Sequence, residues 1–182
     1  MGYLNSIDKF KANLVGGGAR PNLFAVELPT LPTIVGKGWD SDLFTFTCKS
    51  ANMPASNIAA IEVPVRGKTL KIPGDRTFDP WTVTVINTED FKLRKLFEKW
   101  VEAIVDMNEG QGSPSPSSYQ TDATVFQLGR EDKKVSGRDY KAGYKFYGIY
   151  PSSVSAIEVS YDDTDTIEEF TVEFQVQYWA PA

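Results

Sequence analysis

Residues 170–178 read Phe170-Thr171-Val172-Glu173-Phe174-Gln175-Val176-Gln177-Tyr178. Phe170, Val172, Phe174, Val176 and Tyr178 fall on one side of an extended chain. Thr171, Glu173, Gln175 and Gln177 fall on the other, because successive side chains of a strand point to opposite faces. A strand with one dry and one wet face belongs in a sheet that covers a core on one side only, which is the habit of antiparallel sheets. Just upstream, Ile157, Val159 and Tyr161 alternate with Glu158 and Ser160. They predict a second such strand, joined to the first through the acidic turn Asp162-Asp163-Thr164-Asp165.

Farther out the same period recurs. Strands are expected from Ala142 to Tyr150 with Pro151 as the stop, from Ala123 to Leu128, and from Trp81 to Ile86. Asn22 to Leu28 reads as a strand. So does Leu43 to Lys49, with Phe44, Phe46 and Cys48 on one face and Thr45 and Thr47 on the other. Ile58 to Val65 and Lys68 to Ile72 flank the turn signal Arg66-Gly67, and Pro73-Gly74-Asp75-Arg76 reads as another turn.

Helical spacing takes over in two places. From Glu89 to Met107, the residues Leu93, Leu96, Phe97, Trp100, Val101 and Ile104 form one stripe. Asn87 or Thr88 is the expected cap, Glu89 and Asp90 occupy the first turn, and Gly110 and Gly112 end the helix. Near the N-terminus Leu4, Ile7, Phe10 and Leu14 predict a short helix ended by Gly16, Gly17 and Gly18. Residues 1–20 are therefore expected to be an arm on a flexible joint, and 21–182 a single domain. The expected class is mainly β: an antiparallel sandwich or half-barrel of about eight strands, with one long flanking helix and a short helical arm.

A chain of 182 residues with 41% hydrophobic and 13% aromatic content is long enough to bury a full core without metal or disulfide staples. Its single cysteine, Cys48, allows no intrachain disulfide. No apolar stretch approaches the length of a membrane span, and the first residues lack the pattern of a signal peptide, so the protein is expected to start life in a cytosol. Net charge is −5, unevenly spread. All 19 Lys and Arg lie before position 146, whereas seven acids (Glu158, Asp162, Asp163, Asp165, Glu168, Glu169 and Glu173) lie after it. A protein that grips nucleic acid gathers cations to displace phosphate counterions, and this chain's last fifth does the reverse.

Catalytic equipment is sparse. With no histidine, Ser-His-Asp and Cys-His nucleophile systems and the mixed His/Cys zinc sites are excluded. Cys48, between apolar neighbours, reads as a small buried hydrophobe. Gly67-Lys68-Thr69 resembles the end of a phosphate-binding loop, but Glu62 stands where the earlier glycine is required and a strand follows. The spacing of Asp163 and Asp165 lacks the downstream Gly and Glu of a calcium loop. No cofactor or metal is expected. A carboxylate-only hydrolase and a monomeric β-sandwich binding module both stay open, beside a structural role.

Four segments carry a resemblance. They are Ala19-Arg20-Pro21-Asn22-Leu23-Phe24-Ala25-Val26-Glu27, then Phe44-Thr45-Phe46-Thr47-Cys48-Lys49 followed by Met53-Pro54-Ala55. The third is Gly74-Asp75-Arg76-Thr77-Phe78-Asp79-Pro80-Trp81-Thr82-Val83-Thr84-Val85, and the last is Gly148-Ile149-Tyr150-Pro151 with the final strand. In this order they resemble the tail tube proteins of T-even-like contractile phages, across nearly the whole chain. The resemblance implies a non-enzymatic subunit of the virion tail, assembled in the host cytoplasm. Six subunits would close a ring whose sheets join into an inner β-barrel, and rings would stack inside a sheath. It implies as partners the sheath, baseplate, tail terminator and tape measure proteins, and a double-stranded DNA that transits the bore without specific binding. A tube of a phage-derived injection system that carries no genome is the near alternative.

On that reading Glu158, Ser160, Thr171, Glu173, Gln175 and Gln177 are candidates for the bore, since neutral or acidic groups leave phosphates unheld. An ordinary solvent-facing sheet would show the same pattern. Arg20, Asn22, Met53, Pro54, Asp75, Arg76 and Asp79 are candidates for contacts between subunits or rings. Arg76, lying between Asp75 and Asp79, is expected to tie a turn or junction through paired hydrogen bonds.

Overall fold

A computed structural model describes residues 6–14, 18–106, 111–112, 115–129, 140–162 and 164–182. The arm's first residues, two of the hinge glycines (Gly16 and Gly17), Met107, Gly110 and Asp163 lie outside the described residues. Among the described residues, eleven strands and four α-helices run in the order α1 (Ser6–Asn13), β1 (Phe24–Glu27), α2 (Ser41–Thr47), β2 (Cys48–Ala51), β3 (Ser56–Val65), β4 (Lys68–Phe78), β5 (Trp81–Ile86), α3 (Lys92–Ile104), β6 (Val105–Asp106), β7 (Gln111–Gly112), α4 (Pro116–Tyr119), β8 (Thr121–Leu128), β9 (Tyr140–Val154), β10 (Glu169–Gln175) and β11 (Tyr178–Pro181). All strand pairings are antiparallel.

The main sheet follows the path β1-β8-β9-β10-β5-β2, with β11 also on β9. Its hinge is β9. Up to Ile149 this strand pairs with β8, and before Gly148 with β11; from Tyr150 onward it pairs with β10. Gly148 sits at φ +63°, a left-handed conformation that glycine adopts without a Cβ penalty, and its N–H donates to Asp122 Oδ1 at 3.2 Å. The bend folds the sheet into two leaves. Between them Trp81 of β5 stacks on Phe146 of β9 and Phe174 of β10, with centroids 4.9 and 5.1 Å away. The opening strand of the sequence analysis is split by the same bend. Phe170, Val172 and Phe174 are buried in β10, but the chain leaves that strand after Gln175, and Tyr178 begins β11, which is exposed on another part of β9.

Helix α3 covers the core as expected, burying Leu93, Leu96, Phe97 and Trp100. Phe97 touches Trp39, Phe44, Phe170 and Phe174 at centroid separations of 5.8 to 6.2 Å. Each such aromatic contributes about 1.5–3 kcal/mol by leaving water. The helix starts later than the sequence suggests. Thr88–Phe91 is a turn closed by Phe91 N–H on Thr88 O at 2.8 Å, and Asp90 Oδ1 accepts from Lys92 N. Asn87 is used instead to bind Glu168, at 2.8 Å through its backbone and 3.1 Å through its amide. At the other end Gly112 terminates no helix; it pairs with Val105 in the small β6–β7 hairpin.

Four further expectations are corrected. Residues 41–47 are a helix and not a strand: Asp40 caps it by accepting from Leu43 N at 3.0 Å, and Thr45 and Thr47 return their hydroxyls to Ser41 O and Leu43 O. Phe44 is consequently buried while Phe46 is 74% exposed, as two residues along a helix point to nearly opposite sides. The described residues of the segment 155–168 form no strand, and Val159 and Tyr161 stand exposed. Pro73-Gly74-Asp75-Arg76 lies inside β4, opposite a register shift at Ile58/Ala60 that absorbs the proline. Pro151 likewise does not stop β9; it sits at the bulge opposite Glu173/Phe174, where its missing N–H disturbs the ladder least.

Candidate functional site: a polar sheet face and a bare apolar hairpin

The second leaf, β9-β10-β5-β2, has a buried side and a polar side. On the polar side, register places Thr171 opposite Thr84 and Glu173 opposite Thr82 and Ser153. The Thr84 and Thr171 hydroxyl oxygens are 3.3 Å apart, Ser152 Oγ donates to Glu173 Oε1 at 3.1 Å, and Lys49 forms an ion pair with Glu169. The one cation among these residues is thus neutralised, which leaves Glu173 to set the sign of the face. Of the six residues expected at a bore, Thr171, Glu173 and Gln175 lie on this polar face. Gln177 lies past β10, bonded through its N–H to Tyr147 O, with its side chain against Gly148. Glu158 and Ser160 belong to the exposed 155–168 connection. Thr82, Thr84, Ser152 and Ser153 were not singled out from sequence. The alternation of Thr82 and Thr84 with Trp81, Val83 and Val85 carries the signal.

Among the described residues both edges of this leaf are open: β2 pairs there only with β5, and β9 from Tyr150 to Val154 only with β10, since the β8 ladder ends at Ile149.

From one end of the leaf projects the β3–β4 hairpin, a sheet of its own that turns at Arg66 (φ 44°) and Gly67 (φ 80°). Cross-strand pairs Ile61–Ile72 and Val63–Leu70, continued by Val65, make one face apolar. Glu62 and Lys71, 3.5 Å apart, lie on the other. All five apolar side chains are exposed. A two-stranded hairpin with a bare apolar face is marginal in water, so this one is built to be covered.

At the hairpin's base Met53 and Pro54 line a cavity of about 320 Å³ with Tyr144, Phe146 and Trp179. Among the described residues Arg76 has no carboxylate partner. Its guanidinium lies 4.8 Å over Phe78 and 5.3 Å from Trp179, and Nη2 donates to Ser56 Oγ at 3.1 Å. Asp79 accepts instead from Asn57 Nδ2 at 2.9 Å, and Asp75 is exposed on β4. Arg20 and Asn22 stand apart, at the turn into β1, where Arg20 O accepts from Gln127 Nε2. Nothing here resembles a nucleophile. Burial pushes the Cys48 thiol up to about 12, leaving it protonated.

Residues 19–181 match the family model described as "Phage tail tube protein". The chain belongs to the phage tail tube protein family. The tail tube protein gp19 of Enterobacteria phage T4 is 32% identical over 164 residues, covering 90% of this chain and 92% of that protein. The tail tube protein of Serratia phage KSP90 is 24% identical over 69% of this chain and 68% of its own. In fold the chain is similar to a component of the anti-feeding prophage baseplate (TM-score 0.64, 9% identity, 90% of this chain and 95% of that one). It is similar as well to one of the extracellular contractile injection system PVC sheath–tube complex (TM-score 0.60, 14% identity, 94% and 96%).

Proposed function

We propose that six copies close into a ring by edge-to-edge pairing of the polar leaf, and that rings stack into a conduit. The observation that carries this reading is the open four-stranded leaf. Its strands alternate in direction, and their number is even. β2 of one copy therefore meets the Tyr150–Val154 edge of the next in antiparallel sense, and the ring closes without a mismatched seam. Main-chain hydrogen bonds at the seam remove the exposed edges that a monomer would otherwise have to protect.

The polar side of the leaf then lines the bore, with Thr82, Thr84, Thr171, Glu173 and Gln175 toward a passing duplex. Paired Lys49 offers no free cation, so phosphates slide without being held. The conduit holds a tape measure protein, passes the genome, and lies inside a sheath between baseplate and terminator in the virion tail. The subunit assembles in the host cytoplasm and works without catalysis. Met53, Pro54 and Arg76 contribute to junctions through the hairpin base, and the exposed stripe of α1 (Ile7, Phe10, Leu14) through the arm.

Negative-stain electron microscopy of concentrated protein, alone and seeded with baseplates, tests the assembly. Sixfold rings or hollow tubes are expected; monomers under both conditions would favour a binding module. Glu173→Lys with Gln175→Lys should slow genome ejection, and unchanged ejection kinetics would remove these residues from the bore.

A further inference from the structure

The buried side of the polar leaf carries a helix at each of its edges. At one edge α2 runs straight into β2, and two side chains fasten it to the core. The Phe44 ring lies 6.0 Å from Phe97 of α3 between centroids, and Thr45 Oγ1 donates to Val26 O at 2.8 Å. Phe46, on the far side of this fastened helix, projects into solvent two residues before β2 begins.

At the other edge α3 flanks the end of β9. Arg94 pins it there: Nη1 donates to Ser155 O at 3.0 Å and Nε to Glu98 Oε1 at 2.8 Å. Beside this joint lies a cavity of about 340 Å³, lined by Glu98, Val101, Glu102, Val105 and Val154. Val101 and Val105 are exposed, and Val154 ends the Tyr150–Val154 edge. Register links Ala51, Val83, Val172 and Val154 in one row, so the aromatic knob and the apolar hollow flank the leaf at neighbouring heights. Three strand spacings, about 14 Å, separate the two edges, and a phenyl side chain cannot span them within one chain.

We infer that Phe46 of one copy inserts between α3 and β9 of a second copy, against Val101, Val105 and Val154. This rests on the ring reading and names the side chain that locks each lateral seam. Knob and hollow are different surfaces, so the contact is heterologous and closes into a ring when the rotation does. Because α2 is fixed before the copies meet, the phenyl loses little freedom on docking. Glu98 and Glu102 form the wet rim around the apolar contact.

Photocrosslinking tests it. With p-benzoylphenylalanine in place of Phe46, irradiated rings or tubes should give copy-to-copy ladders on denaturing gels. Mass spectrometry should place the new bond in residues 98–105 or 150–154. Phe46→Ala, and separately Val105→Phe, which fills the hollow, should each cut pelletable tubes roughly tenfold or more. Combining the two should recover much of that loss, since the missing phenyl is then supplied from the other side of the seam. Far-UV circular dichroism and melting curves of the monomers should match the unaltered protein, as both positions are exposed. Normal tubes from Phe46→Ala, or crosslinks that land elsewhere in this chain or only on a different protein, would overturn the seam contact and leave the ring reading intact. Failure of the unaltered protein to form rings or tubes even on baseplates would overturn both.

Discussion

Two buried tryptophans should respond unequally to the same substitution. Trp81 and Trp100 are both fully buried. Trp100 Nε1 donates to Tyr119 O at 2.8 Å, whereas Trp81 Nε1, sandwiched between Phe146 and Phe174, has no acceptor among the described residues. Replacing either by Phe leaves a void worth roughly 1–2 kcal/mol. At Trp81 the change also removes a buried unsatisfied donor, which offsets about 1–2 kcal/mol, so Trp81→Phe should be near neutral. At Trp100 it strands the Tyr119 carbonyl and adds a similar cost, so Trp100→Phe should lose about 2–4 kcal/mol. For a chain of this size a gap of about 2 kcal/mol is roughly 4–8 °C in Tm. Urea and thermal unfolding of the dilute monomer, followed by far-UV circular dichroism, measure it. If Trp81→Phe destabilises as much as Trp100→Phe, the orphaned indole is not a cost and the reasoning fails.

Gly148→Ala forces a non-glycine residue to φ +63° and puts a Cβ 2.8 Å from Gln177 Cγ. A loss of about 1–3 kcal/mol is expected in the same assay, partly recovered by adding Gln177→Ala. Asp40 is held below the usual carboxylate range by the Leu43 N–H and then by Lys92, and Asp90 by the Thr88 hydroxyl and then the Lys92 N–H. Depressed carboxylates stabilise the fold above their unfolded pKa, near 4, and lose that contribution as pH falls through the lower folded value. Melting curves from pH 6 to 2 should therefore drop below about pH 4, and less steeply for Asp40→Asn, which keeps a capping oxygen without the titration. Cys48 should resist iodoacetamide at pH 8 in the folded protein and react readily in urea, because burial holds its thiol near 12; equal labelling in both states would contradict its burial.

Segments in which local pattern and tertiary demand agree were legible in advance. β5 and β8 form as expected because each alternation meets a core on its apolar side, and α3 because its stripe is wide enough for one helix to cover. The pattern 43–48 misled because an alternation this short also fits one helical turn. The Asp40 cap and the hydroxyl return bonds of Thr45 and Thr47 tip the balance toward helix. Three members of the polar face, Thr171, Glu173 and Gln175, could be chosen from their own strand. Thr82 and Thr84 join them only through cross-strand register.

The chain's β class, its antiparallel habit, its long helix and its want of histidine-based catalytic groups follow from the sequence by itself, since period, composition and missing histidine are local facts. Tertiary structure alone decided which apolar strands go inside. Ile61, Val63 and Val65 alternate as well as Phe170, Val172 and Phe174 do, yet the first set is bare and the second buried. Period two reports that a strand has an apolar face. Whether that face meets its own chain depends on long-range pairing, here on the bend of β9 at Gly148 that closes one leaf over the core and leaves the hairpin outside it.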